Sequence, residues 1–341
     1  MAISSWNAGI IRPVAVPPAG PFQDGAAPGV WTLDQATFWI QQGLWPTAGN
    51  VATRAVFAGG SDGVTTSNVI DYFTVNTLGN AADFGDLTEA NFGICGFGSS
   101  TRGVFAGGYG GTNKVISYIT IATTGNATGW GVASTYSHNG SSGANSTTRG
   151  LISCGESSLN NIEYVTIATT GSVTGFGTLT TAANYGGSCF SQTRAIFGLA
   201  RTAVKSAALA YVTIATTGNG TTFGDLLSAS QGAQGLSNGV RGVFGGGETA
   251  SAYINVIQYV TIASTGNATD FGDLLSIRNT MGATSSPTRG VFMGGYDGVN
   301  TNNVIQYITI ATTGNSIDFG DLTNTQSSAG AATSNNNGGL Q

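Results

Sequence analysis

Side chains able to carry acid–base, nucleophilic or metal chemistry are few in this 341-residue chain. His138 is its only histidine, so no histidine cluster can hold a metal, and no Cys/His spacing suits zinc. Residue types alone allow a Ser-His-Asp arrangement around His138, but no nucleophile elbow is present. Glycoside hydrolysis would need two carboxylates at a set separation. The scattered acids Asp71, Glu156 and Glu163 show no such pairing in the sequence. Asp-Phe-Gly occurs at Asp83, Asp270 and Asp318. In a kinase this triplet holds magnesium, but here the glycine-rich loop, lysine strand and catalytic loop are missing. Cys95, Cys154 and Cys189 are an odd set at unrelated positions and read as small buried strand residues rather than a disulfide framework. No catalytic, cofactor or metal constellation emerges, and an enzyme is not expected.

The elements that carry these residues repeat. Arg opens an apolar strand at Arg54, Arg102, Arg149, Arg194, Arg241 and Arg289. Tyr72, Tyr118, Tyr164, Tyr211, Tyr259 and Tyr307 keep the same register, as do Phe84, Trp130, Phe176, Phe223, Phe271 and Phe319 before a glycine. Three markers in step define six repeats. The clearest copy runs from Thr288 to Leu322. It reads as an apolar strand ended by a Gly pair, an alternating β-branched strand, a TTGN turn and a short strand around DFGDL. A Gly/Ala/Ser segment before each Arg, such as 280–286, supplies a fourth strand with side chains small enough for a crowded axis. Four strands per repeat of about 45–50 residues is a propeller-blade pattern. The expected fold is all-β, a six-bladed kelch-like β-propeller over 53–341. Its tail, 325–334, resembles the small-residue segment and is expected to supply the innermost strand of the first blade. A β-solenoid with two coils per repeat is the rival architecture, but it needs no closure by the tail.

This periodic placement decides how the repeated residues are read. A once-per-blade Asp-Phe-Gly is structural. The Arg series is expected to bond loop carbonyls or span neighbouring blades, and the Tyr rings to pack between sheets. The Gly pairs end strands rather than open helices, so they are turns or close blade contacts, not dinucleotide loops. His138 lies in a Gly/Ser-rich stretch and reads as a loop or channel-mouth residue. The sequons at Asn126 and Asn267 belong to the repeated turn and need no glycan.

Composition narrows the partners. Charged residues are 8% of the chain, and the net charge is −5 with only Lys114 and Lys205 as lysines. No basic stripe exists for a phosphate backbone, so nucleic acid is not an expected partner. No 18-residue apolar run exists to span a membrane. The N-terminus lacks the basic start and apolar core of a secretory signal. Glycine, at 54 residues, serves many tight turns.

Residues 1–52 form a separate module, with six of the seven prolines and four of the five tryptophans. Ile10–Pro28 is expected to be extended, because proline blocks both helix and central strand. Thr32 and Gln35 have capping-box spacing, and an apolar stripe follows until Gly43 and Pro46 stop it. That predicts one short helix. Trp31, Leu33, Phe38, Trp39, Ile40 and Trp45 are the candidate anchoring residues, docking on the propeller's flank, on sister subunits or on a larger particle. A homo-oligomer is expected, with a trimer among the possibilities. Among the blades, those near 130–206 depart furthest from the pattern, through a specialised contact or through drift.

RGVFAGG followed by the N-V-I-Q-Y-I-T-I-A-T-T-G-N register and DFGDL resembles the kelch-like propeller repeats of virion proteins of tailed phages, especially cyanophages. The resemblance covers about residues 53–334. The segment GVWTLDQ…GLWP is similar to a short motif near the start of tail or fibre components. The resemblance implies a structural virion protein, assembled in the host cytoplasm and exposed on the particle. As a tail or tail-fibre component it would display the propeller to a host-surface glycan or protein, or to other virion proteins. A capsid decoration knob is the alternative, and a lectin or glycan-active enzyme a third.

Overall fold

The computed structural model describes residues 5–6, 9–10, 53–109, 115–131, 134, 136, 138–153, 155, 159–171, 173–200, 205–326 and 331–335. Chain contacts divide it into two units, Met1–Ala52 and Thr53–Gln341. In the first, Ser5–Trp6 pairs antiparallel with Gly9–Ile10. The expected helix and all six candidate anchoring residues lie outside the described residues.

The second unit is a six-bladed β-propeller of four-stranded antiparallel sheets. In blade 6 the inner strand Gly282–Ser285 pairs with the Arg strand Arg289–Met293, that with the Tyr strand Asn302–Thr309, and that with the outer strand Ile317–Gln326. No helix occurs among the described residues. Blade 1 takes its inner strand from the other end of the chain. Ala331–Ser334 pairs with Arg54–Ala58, in the register Ala331 to Ala58 and Ser334 to Ala55. This closure leaves no unpaired inner edge between first and last blades. It rules out the solenoid.

The apolar side chains explain the packing. One hydrophobic cluster lies at each junction between adjacent blades. At the closing junction Phe57, Phe73 and Val75 of blade 1 meet Val291, Ile305 and Phe319 of blade 6. A blade inside the ring therefore has a neighbour on each face. That is why the Arg strands, with four buried residues after a half-buried Arg, read as continuous apolar runs instead of alternating. Phe105, Phe197, Phe244 and Phe292 of these strands are at most 2% exposed. Each such side chain contributes roughly 1.5–3 kcal/mol of burial.

Candidate functional site

The repeated polar residues join blades. Each Arg guanidinium stacks on the Tyr ring of its own blade, 4.2–4.6 Å from the centroid. Its Nη1 donates to a carbonyl just past the Tyr strand of the next blade, as from Arg54 to Ile121 at 3.0 Å and from Arg241 to Ile310 at 2.8 Å. The Tyr ring in turn meets the Phe or Trp of its own blade edge-on, with centroids 5.8–6.2 Å apart.

The Asp-Phe-Gly segment receives the TTGN turn of the next blade. Asp321 N donates to Asn80 Oδ1 at 3.1 Å, and Gly79 N donates to Phe319 O at 3.0 Å. Asn126, Asn219, Asn267 and Asn315 accept the equivalent bond. The glycine is required by the approach. Gly320 has φ +148°, and a Cβ there would lie 2.5 Å from Gly79 O. Blade 3 has Gly171-Ser172 where the others have Gly-Asn, so it lacks this acceptor. There the indole of Trp130, which stands where the other blades have Phe, donates to Gly171 O at 3.2 Å.

A second row of joints was not legible from the repeats. The residue before the Tyr is buried, and in four blades it is polar and bonds the previous blade at the residue four positions after the Phe or Trp marker. Asp71 accepts from Thr323 N and Oγ1, Gln258 from Leu227 N, and Gln306 from Leu275 N. Glu163 holds the equivalent place in blade 3, where Ser134 Oγ bonds its carboxylate. The signal was a polar residue in an otherwise apolar strand.

His138 completes that joint. Its side chain is fully buried, with Nε2 2.8 Å from Glu163 Oε2. Its Nδ1 lies 2.8 Å from the Ser153 carbonyl, an acceptor, so Nδ1 carries a proton. His138 lies in a loop, as expected, but it is buried rather than open at a channel mouth: the Gly/Ser-rich stretch folds inward, where Glu163 supplies a buried partner. The pair is closed to solvent within blade 3, and Ser134 of blade 2 bonds the same carboxylate across the junction. Glu156 and Cys154 lie outside the described residues. Cys95 and Cys189 are buried free thiols. Burial pushes the Cys95 thiol up to about 11 and that of Cys189 higher still, which leaves both inert as nucleophiles. Among the described residues no three His, Cys, Asp or Glu side chains converge as a metal site. No helix there is long and apolar enough to cross a membrane.

Two cavities bear on a binding site. The central channel, lined by the inner strands of all six blades, encloses only about 60 Å³. Serine hydroxyls tie its walls together, as from Ser334 Oγ to Ser285 O and from Ser285 Oγ to Ser237 O. A wider depression of about 680 Å³ opens on one face. The hairpins joining Arg and Tyr strands in blades 1 and 6 wall it with Val64, Val299 and Asn300. The loops entering the inner strands of blades 4, 5 and 6 contribute Tyr185, Gln231 and Thr280. Val64 and Val299 are 91% and 80% exposed.

Fold and geometry together define a propeller whose repeated polar residues serve its own joints and whose loops wall a depression on one face. Compared with known proteins, the chain matches no protein-family model, and no curated protein aligns significantly with it.

Proposed function

We propose that this chain is a structural, non-enzymatic protein of a tailed-phage virion, a tail or tail-fibre component that presents the propeller's loop face to a host surface or partner protein. Residues 1–52 attach it to the particle or to sister subunits, and the attachment is homo-oligomeric. One observation carries the binding reading. The repeated Arg, Tyr, Asn and Gly residues are spent on blade-to-blade joints, while the exposed hairpin residues of blades 1 and 6 and the entering loops of blades 4 to 6 gather around the depression on one face. Loops on a rigid scaffold are the usual carriers of recognition. The assignment to a virion rests on the resemblance of the repeats and of the Trp-rich N-terminal segment, since a fold by itself does not argue function.

The test is to image particles decorated with an antibody raised against residues 53–341, beside particles carrying the chain without residues 1–52. Label at the tail, lost on deletion of 1–52, is the expected outcome. Label on the head would move the protein to capsid decoration. Unlabelled particles, or incorporation that survives the deletion, would remove the tail-anchor reading.

A further inference from the structure

Among the described residues, the loops that enter the inner strands of blades 2 to 6 form a partial ring of backbone hydrogen bonds around the mouth of the channel, one at each of four successive junctions. Gly140 N donates to Gly93 O at 2.8 Å, Tyr185 N to Gly140 O at 2.8 Å, Gly232 N to Tyr185 O at 2.7 Å and Thr280 N to Gly232 O at 2.9 Å. All five residues stand five positions before the equivalent end of their inner strand. All five have left-handed backbone, with φ of +67°, +69°, +53°, +72° and +49° for residues 93, 140, 185, 232 and 280. The ring therefore demands a conformation that glycine adopts without strain and that costs other residues of order 1 kcal/mol or more.

Three of the positions are glycine. Two carry a side chain despite the strain, and these are the only non-glycine residues with positive φ among those described. Both Tyr185 and Thr280 line the same depression. A β-branched threonine is an especially poor choice for this backbone. Gly140 lies beneath the tyrosine, where a Cβ would come within 2.8 Å of the ring. Gly232, at the position between them, also lines the depression but carries no side chain, so the cavity is shaped there by Tyr185 and Thr280 alone.

The cavity's chemistry names the ligand class. Among the described residues its wall offers the tyrosine rings of 185 and 296, the amides of Gln231, Asn279 and Asn300, and threonine hydroxyls, with no Lys, Arg or His. The one acid there, Asp62, is committed to its own hairpin. Its Oδ1 accepts from Val64 N and Thr65 N, and its Oδ2 accepts from Thr65 Oγ1. Those bonds hold its carboxyl below the usual carboxylate range, so it neither supplies nor takes a proton near neutrality. Without a cation the wall does not favour phosphate, sulfate or carboxylate groups. Rings with an apolar face and a polar tip, flanked by amides, suit a ligand with C–H faces and a hydroxyl rim. We infer that the depression between the blade 1 and blade 6 hairpins binds a neutral oligosaccharide, with Tyr185 and Thr280 as contact residues kept against backbone strain. The site binds without cleaving. This rests on the reading of the loop face as the contact surface but not on where the protein sits in a particle.

The experiment uses the full-length chain on a printed array of neutral oligosaccharides three to six sugars long, with sulfated and sialylated glycans beside them. Thr280→Gly, Tyr185→Gly and Asn300→Ala are compared with the parent, and thermal midpoints are recorded for each. The expected result is binding to at least one neutral probe, weakened about tenfold or more in all three variants. The midpoint of Thr280→Gly should hold or rise, because the substitution relieves strain. Binding to no neutral probe, preference for the charged probes, or binding that either glycine variant keeps would overturn the inference. So would a fallen midpoint in Thr280→Gly, which would give that side chain to the fold. Loss of particle labelling with glycan binding intact would reject the virion reading alone.

Discussion

Arg289 of blade 6 donates from Nη1 to the carbonyl of Val75 in blade 1, 2.8 Å away in space and 214 residues apart in the chain. Its guanidinium also lies 4.2 Å from the Tyr307 ring centroid. The same bond joins consecutive blades elsewhere, but here it closes the ring beside the terminal strand.

Arg289→Ala should therefore cost more than a surface substitution. It removes a charge-assisted bond and a cation–π contact, together about 2 kcal/mol or more. Arg289→Lys should recover little, because an ammonium cannot stack and donate in the same fork. Urea unfolding measures both. A loss within about 0.5 kcal/mol would give the joint no energetic role.

The glycine of the Asp-Phe-Gly segment is set by approach rather than chemistry. Gly320→Ala places a Cβ against Gly79 O at positive φ and should cost about 1–3 kcal/mol. Gly129, in the blade 2 outer strand, has nothing within 4 Å of its would-be Cβ and no positive φ. Gly129→Ala should be close to neutral. Equal melting shifts for the two would contradict the docking geometry.

The buried pair in blade 3 makes a non-additive prediction. His138→Ala removes the imidazole partner of a buried carboxyl and should cost about 3–5 kcal/mol. Adding Glu163→Gln puts there the residue that blades 5 and 6 already use, Gln258 and Gln306. The double variant should be more stable than His138→Ala alone, and a double-mutant cycle measures the coupling.

Asp71 gives a pH dependence whose sign is fixed. Burial raises its carboxyl above 3.8, against the lowering effect of the Thr323 bonds. Between 3.8 and the raised value the folded chain holds more protons than the unfolded chain, so this group's contribution to stability falls as pH rises through that interval. Asp71→Asn should remove the fall and leave the protein as stable or more stable at neutral pH. Denaturation curves from pH 3 to pH 8 check it. A decline of the same size in the variant would assign it to other carboxyls.

The sequence by itself determined six blades, their strands and the closing tail, because side-chain alternation and glycine turns are local properties. The neighbours were decided only by the tertiary structure. The Arg series read as structural, but its acceptors lie 65–69 residues ahead within the open run and 214 back at the closure. The polar residue before the Tyr in blades 1, 3, 5 and 6 read as an ordinary strand position until the previous blade was set against it. His138 found Glu163 the same way, 25 residues on. Trp130 looked like an aromatic variant of Phe until Gly171 stood beside its indole. Tyr185 and Thr280 carried no signal at all, since a backbone angle leaves no mark in residue type unless glycine occupies the position. Each of these depends on which atoms closing the ring brings within 3 Å. That distance is set by six junctions packed at once and by no one repeat.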